Sequence, residues 1–232
     1  LSLGSLYALL ALGIALIFGI MNLINFAYGE LIMIGGYTLY LSRDLPWPIQ
    51  VAACAVVTVV AALLMDKLAF RPFRNAGAPV LLVTSFALSF ALQSLATVIF
   101  TSHAKGLSLP DWFTQAITIG SISFSSLNLI TVALVVLLVG GLATFLRRTM
   151  VGVQMRAAAE NFDAARLVGV RAHRVIAAAF ALSGLSASIA AILLIAQGGA
   201  VTPTIGTGPV LIAFVATIVG GLGSLYGAAL GG

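Results

Sequence analysis

The sequence predicts an all-α bundle of membrane-crossing helices, for three reasons. Hydrophobic residues make up 61% of the chain and charged residues only 7%, against about 45–50% and about 25% in a soluble domain. The mean hydropathy is +1.17. The apolar residues gather in several separate runs near span length, which excludes a lone signal peptide or a single anchor. Nine of the eleven Lys and Arg fall in 67–74 and 147–174, the pattern of short basic loops kept on the inner side of a membrane.

In lipid, an isolated apolar run must satisfy its own backbone hydrogen bonds, so each run reads as a helix. The runs are continuous, unlike the roughly ten-residue alternation of an outer-membrane barrel. Spans are predicted at 3–21, 23–41, 49–68, 79–100, 126–146, 175–196 and 209–222, with an incomplete one from about 225. That makes a polytopic bundle with at least 7 membrane segments in one transmembrane domain, 1–232. The chain begins without Met inside an apolar run and stops as another begins, so it is expected to be a fragment cut at both ends, lacking its C-terminal part.

The first span, 3–21, carries no charge. It runs into "NFAYGE" (25–30), where Asn22, Asn25, Tyr28 and Glu30 gather, and Glu30 is the only acid in the first 43 residues. A charged Glu in lipid costs at least a few kcal/mol, so it must face a water-filled cavity, a partner or the inner interface. Two readings follow. Either 22–30 caps a tight helix hairpin, or the helix is broken and the cluster forms a polar elbow. There free amide ends could guide a carboxylate and Glu30 could attract an ammonium group. The short run 31–41 leads to "DLPWP" (44–48), an outer turn with Trp47 suited to the headgroup level.

The third span contains Cys54, read as a small buried thiol. After the basic inner loop 67–79, the fourth span carries Ser85, Ser89, Gln93 and Thr97 at four-residue spacing, one slowly turning stripe. That stripe either lines a route for a zwitterionic solute or bonds neighbouring helices together. An outer segment, 101–125, precedes the fifth span. The inner loop 147–174 is too polar to cross. "VQMRAAAE" and "DAARLV" have helical composition, Arg156 and Glu160 can pair across one turn, Asn161 or Asp163 can cap a second short helix, and Gly169 suits its end. In the sixth span Gly184 and Ser188 are expected to be close-packing positions. "QGGAVTPTIGTGP" (197–209) then interrupts the apolar pattern, as 22–30 does. Such paired interruptions point to a transport pathway. "LGSLYALLALG" (3–13) and "LGSLYGAALGG" (222–232) share six of eleven letters, an echo of a repeated half or of a Gly/Ala/Leu-rich alphabet.

Several function classes are excluded. The only histidines, His103 and His173, lie in loops and cannot activate a buried Ser. Six scattered carboxylates offer no metal cluster, and no P-loop is present. No catalytic residue, cofactor or metal is expected, and ATP-driven work would need another chain. The pI near 9.9 reflects the inner loops rather than nucleic acid.

The segment "RRTMVGVQMRAAAENFDAARLVGV" (147–170), followed by "AAAFALSGLSASIAAILL", resembles the coupling region of ABC importer permeases of the branched-chain amino acid subfamily. "GSLYALLALGIALIFGIMNLINFAYGELIMIGGY" (4–37), "RPFR" (71–74) and "GGLGSLYGAALGG" (220–232) match in kind and order. The usual signature there is N-F-A-H-G-E, with Tyr28 standing in the His position, and its form points to the H-type subunit. The resemblance implies a multi-pass permease of the bacterial inner membrane. Its expected partners are two cytoplasmic ATPase subunits, a second permease subunit, an extracytoplasmic substrate-binding protein and membrane lipid. It also implies that Glu160, Ala164, Ala165 and Gly169 lie in the segment that docks on an ATPase. Branched-chain amino acids, other small amino acids, urea and related amides are all within the subfamily's range. Two alternatives remain open: an ion-coupled secondary transporter, and a non-transporting membrane scaffold.

Overall fold

A computed structural model describes residues 2–74, 76–107, 110, 116–119, 122–221, 227–228 and 231–232. Helix α1 (Ser2–Met21) is followed by α2 (Tyr28–Leu41) and α3 (Trp47–Met65), which runs on through a π turn, Asp66–Phe70. Then come α4 (Ala78–Phe100), a two-residue strand β1 (Lys105–Gly106), a hairpin of β2 (Ala116–Ile119) and β3 (Ile122–Ser125), and α5 (Ser126–Arg148). Two short helices, α6 (Met150–Glu160) and α7 (Phe162–Leu167), lead to the long α8 (Ala172–Gly198), strand β4 (Ala200–Val201) and α9 (Thr207–Gly220).

Among the described residues, five helices are long and apolar enough to cross a membrane: α1, α3 with its π turn, α4, α5 and α8. The chain is thus an all-α membrane helical bundle. Helices α1 and α8 form its centre, with 67% of each window buried, whereas α4 and α5 are only 17% buried. Helix α1 packs on α8, α9 and α5, while α8 also takes α3 and α2. A helix hydrophobic all round belongs inside the bundle, and Leu6, Leu9, Leu10, Leu12, Ile14 and Ile17 of α1 are all buried.

Lipid tails are as apolar as Leu, so helices in a bilayer associate through close packing rather than through the hydrophobic effect. Small residues provide that packing here. A Cβ added to Gly184 of α8 would lie 2.9 Å from the Thr58 carbonyl oxygen and from Ala62 on α3. Ala187, Ala190 and Ala191 are fully buried on the same helix. Gly184 is therefore the close-packing position expected of it. Cys54 is buried, its thiol 3.6 Å from the Gly35 carbonyl oxygen.

The predicted span 23–41 is corrected. Helix α2 starts at Tyr28 and has 14 residues, about 21 Å at 1.5 Å per residue, short of the roughly 30 Å hydrocarbon core. Asn22 ends α1 in the left-handed region at φ 49°, a conformation that Asn tolerates better than most residues. Its amide donates to Phe18 O at 2.8 Å. Asn25 Oδ1 then accepts from the Ala27 amide at 3.0 Å, turning the chain before α2.

The other interruption ends α8 at Gly199, φ 68°, and β4 pairs antiparallel with β1 before α9 begins. The predicted spans 3–21, 49–68, 79–100, 126–146 and 175–196 agree with α1, α3, α4, α5 and α8 to within a few residues. The predicted span 209–222 is the 14-residue α9, too short by length to be counted with them, and the incomplete span from about 225 lies largely outside the described residues. The hairpin in the outer segment was not anticipated. Its strands, AITI and ISFS, alternate apolar with other residues, which is the ordinary strand signal. The C-terminal half of the internal echo lies largely outside the described residues.

Candidate functional site

The two interruptions converge. Gly29, in the first turn of α2, meets Gly206, the residue before α9. A Cβ on Gly29 would lie 3.1 Å from the Gly206 carbonyl, and one on Gly206 would lie 2.6 Å from the Gly29 carbonyl carbon. Only glycine allows backbone to approach backbone this closely. The first turns of two helices, each the positive end of a helix dipole, therefore share one location.

Glu30 sits beside this contact and is 2% exposed. Its Oε1 accepts from Ser89 Oγ at 2.8 Å and from Gln93 Nε2 at 2.8 Å. Gln93 Nε2 also lies 3.3 Å from Thr207 Oγ1, on the first residue of α9. Glu30 Oε2 is buried without a hydrogen-bond partner. Ser89 is the twelfth of the 23 residues of α4, so the carboxylate lies halfway along a full-length span. The 22–30 segment thus starts at the exposed end of α1 and brings Glu30 into the interior of the bundle. Gln93 is half-buried and Thr207 exposed, so the cluster opens on that side.

A carboxylate accepts several hydrogen bonds, and an isolated one in a bilayer interior calls for a cationic group or water. One Glu30 oxygen is saturated by two side chains of α4 and the other is left over. The arrangement can therefore hold α2 to α4 and still offer an acceptor to a passing ammonium or amide group.

The other candidate residues fall into two sets. Ser85 belongs to the break: its Oγ accepts from the Phe26 amide at 3.3 Å and donates to Leu82 O at 2.8 Å. Phe26 stacks on Phe86 with centroids 4.2 Å apart. Asn25 is buried, with its Nδ2 unpartnered. Tyr28 is fully buried and fits the notch left by Gly13 on α1, where an added Cβ would strike its ring and hydroxyl. Asn22 is exposed and lines a hollow with Arg74 and Phe162 at the far end of α1, apart from the Glu30 cluster. Thr97 bonds back to its own helix at Gln93 O. Sequence reasoning did not single out Thr207 or the Gly29–Gly206 contact, although Thr207 stands in the interrupted stretch it flagged.

The second candidate region is the α6–α7 elbow. Thr149 caps α6 by accepting from the Gly152 amide at 3.0 Å. Gly152 lies so close to Phe145 and Leu146 that α6 folds back directly on α5. Met155 and Ala158 are buried, and α6 packs on α1 and α8 as well as α5. Asn161 caps α7 through the Ala164 amide at 3.0 Å, and Gly169 ends it at φ 90°. Both features match the sequence reading. The expected Arg156–Glu160 ion pair does not form: both side chains are exposed and unpaired with each other, since a solvated pair gains little. Glu160, Ala164 and Gly169 are exposed, whereas Ala165 is buried in the core. Leu167 and Val168 stand out at the tip, 89% and 81% exposed.

This pairing of a mid-depth polar break with a helical elbow is accompanied by a match in sequence. Residues 1–232 match the family described as branched-chain amino acid transport system / permease component. The chain belongs to this family. It is a membrane permease. Among curated relatives, the high-affinity branched-chain amino acid transport system permease protein LivH of Escherichia coli is 32% identical over 247 residues, covering all of this chain and 80% of LivH. The permease protein BraD of Pseudomonas aeruginosa is 31% identical over 248 residues, with the same coverage. The xylose transport system permease protein XylH of Escherichia coli is 36% identical over 104 residues, 42% of this chain and 26% of XylH. No solved structure matches the chain.

Proposed function

We propose that this permease imports branched-chain amino acids, or related small amino acids and amides, by alternating access driven by ATP hydrolysis in separate subunits. The names of its full-length relatives support that substrate class. The observation that carries the reading is the leftover Glu30 Oε2, buried at mid-depth where α2 and α9 begin. A zwitterionic amino acid offers an ammonium group for that oxygen and a carboxylate for the positive ends of the two helix dipoles. Gln93 and Thr207 form the rim, Ser89 orients Glu30, and Ser85, Asn25 and Tyr28 hold the break in shape. Asn22 serves the inner end of α1. The five full-length helices together with the short α2 and α9 make seven membrane segments.

Coupling is assigned to 147–174, the loop read as cytoplasmic together with 67–79. Its exposed face, Glu160, Ala164 and Gly169 with Leu167 and Val168, docks an ATPase, while Ala165 pins α7 to the bundle. Because α6 is packed directly on α1, α5 and α8, a push at this elbow moves the central helices rather than a slack loop. A working importer then needs two cytoplasmic ATPases, a second permease subunit and an external binding protein, assembled in the bacterial inner membrane.

A second reading is favoured by the two short hydrogen bonds to Glu30 Oε1, which would suffice if the cluster only joined α2 to α4. Glu30→Gln separates the two, since a Gln carbonyl still accepts from Ser89 and Gln93. We expect the variant to assemble and to lose at least tenfold in binding-protein-dependent uptake of radiolabelled leucine. Uptake at the wild-type rate would make the cluster structural.

A further inference from the structure

One nitrogen beside Glu30 has more partners than it can serve. Gln93 Nε2 lies 2.8 Å from Glu30 Oε1 on α2, 3.2 Å from Ser89 Oγ on α4 and 3.3 Å from Thr207 Oγ1 on α9. A side-chain amide has two N–H donors and cannot satisfy three oxygens at once. The two longer contacts exceed the usual separation of about 2.9–3.0 Å, so Glu30 is the partner that holds the amide. Ser89 Oγ donates to the same Glu30 oxygen at 2.8 Å and keeps lone pairs with which to accept. Among the described residues, the Gln93–Thr207 contact is the only side-chain hydrogen bond from α4 to α9. Gln93 is half-buried, while Phe90 and Thr97, one turn to either side, are exposed. Only 17% of the α4 window is buried, which leaves the side chain an open flank to turn into. Glu30, 2% exposed, is closed off as long as Gln93 stays in place.

We propose that the Gln93 amide stands in for the solute's ammonium group and is expelled by it. This rests on the reading of Glu30 as the ammonium's partner. Three helices each aim an oxygen at one nitrogen position, and an ammonium brings three N–H donors to it, one for each. It also brings positive charge to a buried carboxylate, and a hydrogen bond between ionised partners is stronger than one from a neutral amide. Gln93 then turns outward along the open flank of α4. Urea or another neutral amide carries no charge and gains nothing over the amide it would have to expel. The cup of oxygens therefore selects amino acids from the wider range of small solutes, and Gln93 sets the threshold that an entering solute must exceed. Its departure also unties α4 from α9, the helix packed on α1 and α2.

Equilibrium binding of radiolabelled leucine to the assembled permease complex, up to millimolar concentrations and without the binding protein, tests this. Gln93→Leu keeps the bulk and removes the competing donor. It should bind leucine about fivefold more tightly than the wild type, the worth of one net hydrogen bond. A merely damaged site would lose affinity. Gln93→Asn draws the amide back by one methylene and should gain in the same direction; it decides the matter if Gln93→Leu does not assemble. Isovaleramide, neutral and with two N–H donors like Gln93 itself, should displace no leucine from the wild type at equal concentration. Affinity that is unchanged or weakened in the variant, or leucine displaced by isovaleramide, would overturn the proposal. Adding Glu30→Gln to Gln93→Leu separates it from the reading beneath it. Binding lost in the double variant, with no gain in Gln93→Leu alone, removes only the stand-in role. Binding indifferent to Glu30→Gln removes Glu30 as the ammonium's partner, and the stand-in with it.

Discussion

The Gly29–Gly206 contact can be tested with one methyl group. Gly206→Ala would place a Cβ 2.6 Å from the carbonyl carbon and 2.7 Å from the Cα of Gly29, where van der Waals contact requires at least about 3.5 Å. Both obstacles are backbone, so no rotamer change relieves the overlap, and α9 must retreat from α2 by nearly 1 Å. Thr207 Oγ1, now 3.3 Å from Gln93 Nε2, then passes out of hydrogen-bond range. Overpacking of this kind costs about 1–3 kcal/mol. For a chain of this size that corresponds to a melting temperature lower by roughly 2–4 °C per kcal/mol. Gly208→Ala is the control, two residues away with nothing within 4 Å of its added Cβ. The assays are thermal stability of the purified permease and solute uptake. Gly206→Ala should fall in both and Gly208→Ala in neither. Wild-type stability and uptake for Gly206→Ala would refute the backbone contact and the seam built on it.

Gly13→Ala should destabilise the permease by a similar amount because its methyl group strikes the Tyr28 ring. Adding Tyr28→His, a smaller ring, should restore melting temperature, and no recovery in the double variant would show that Tyr28 does not occupy that notch. Leu167→Asp places a charge on the 89%-exposed tip of α7. It should leave the permease folded while abolishing co-purification of the ATPase, whereas intact co-purification would remove the tip from the docking face.

Most of the helix bundle was legible in the sequence because lipid leaves few options. Long uncharged runs must be helices, and the clustered arginines mark where α3 and α5 end. Polar punctuation carried further information: Asn161 and Gly169 framed α7, and the interruptions at 22–30 and 197–209 were visible as departures from apolar pattern. The start of α2 was not visible, because Leu23, Ile24, Phe26 and Ala27 are as apolar as any span and only Asn22 and Asn25 turn the chain away from it. Nor could the sequence show that the two interruptions meet. Gly29 and Gly206 lie far apart in the chain, and the contact depends on how α1 and α8 place the helices around them. Stripe geometry put Ser85, Ser89, Gln93 and Thr97 together, but α2 meets only the middle of the stripe. Ser85 serves the break, Ser89 and Gln93 serve Glu30, and Thr97 bonds its own backbone. The Arg156–Glu160 spacing allowed an ion pair that the folded helix leaves unmade, since spacing is a necessary condition and solvent competes for both charges.

The central claim is that the solute passes the Glu30 cluster at mid-depth, and Thr207 on its rim is the position from which to watch it. The native Cys54 is buried, so a thiol introduced by Thr207→Cys can be followed with a charged, membrane-impermeant reagent in the assembled importer. The account predicts that the introduced thiol is modified, that modification changes when the ATPase is trapped with nucleotide, and that transported amino acid slows it. A thiol that reacts only with a lipid-soluble reagent, at a rate indifferent to nucleotide and solute, would contradict the account.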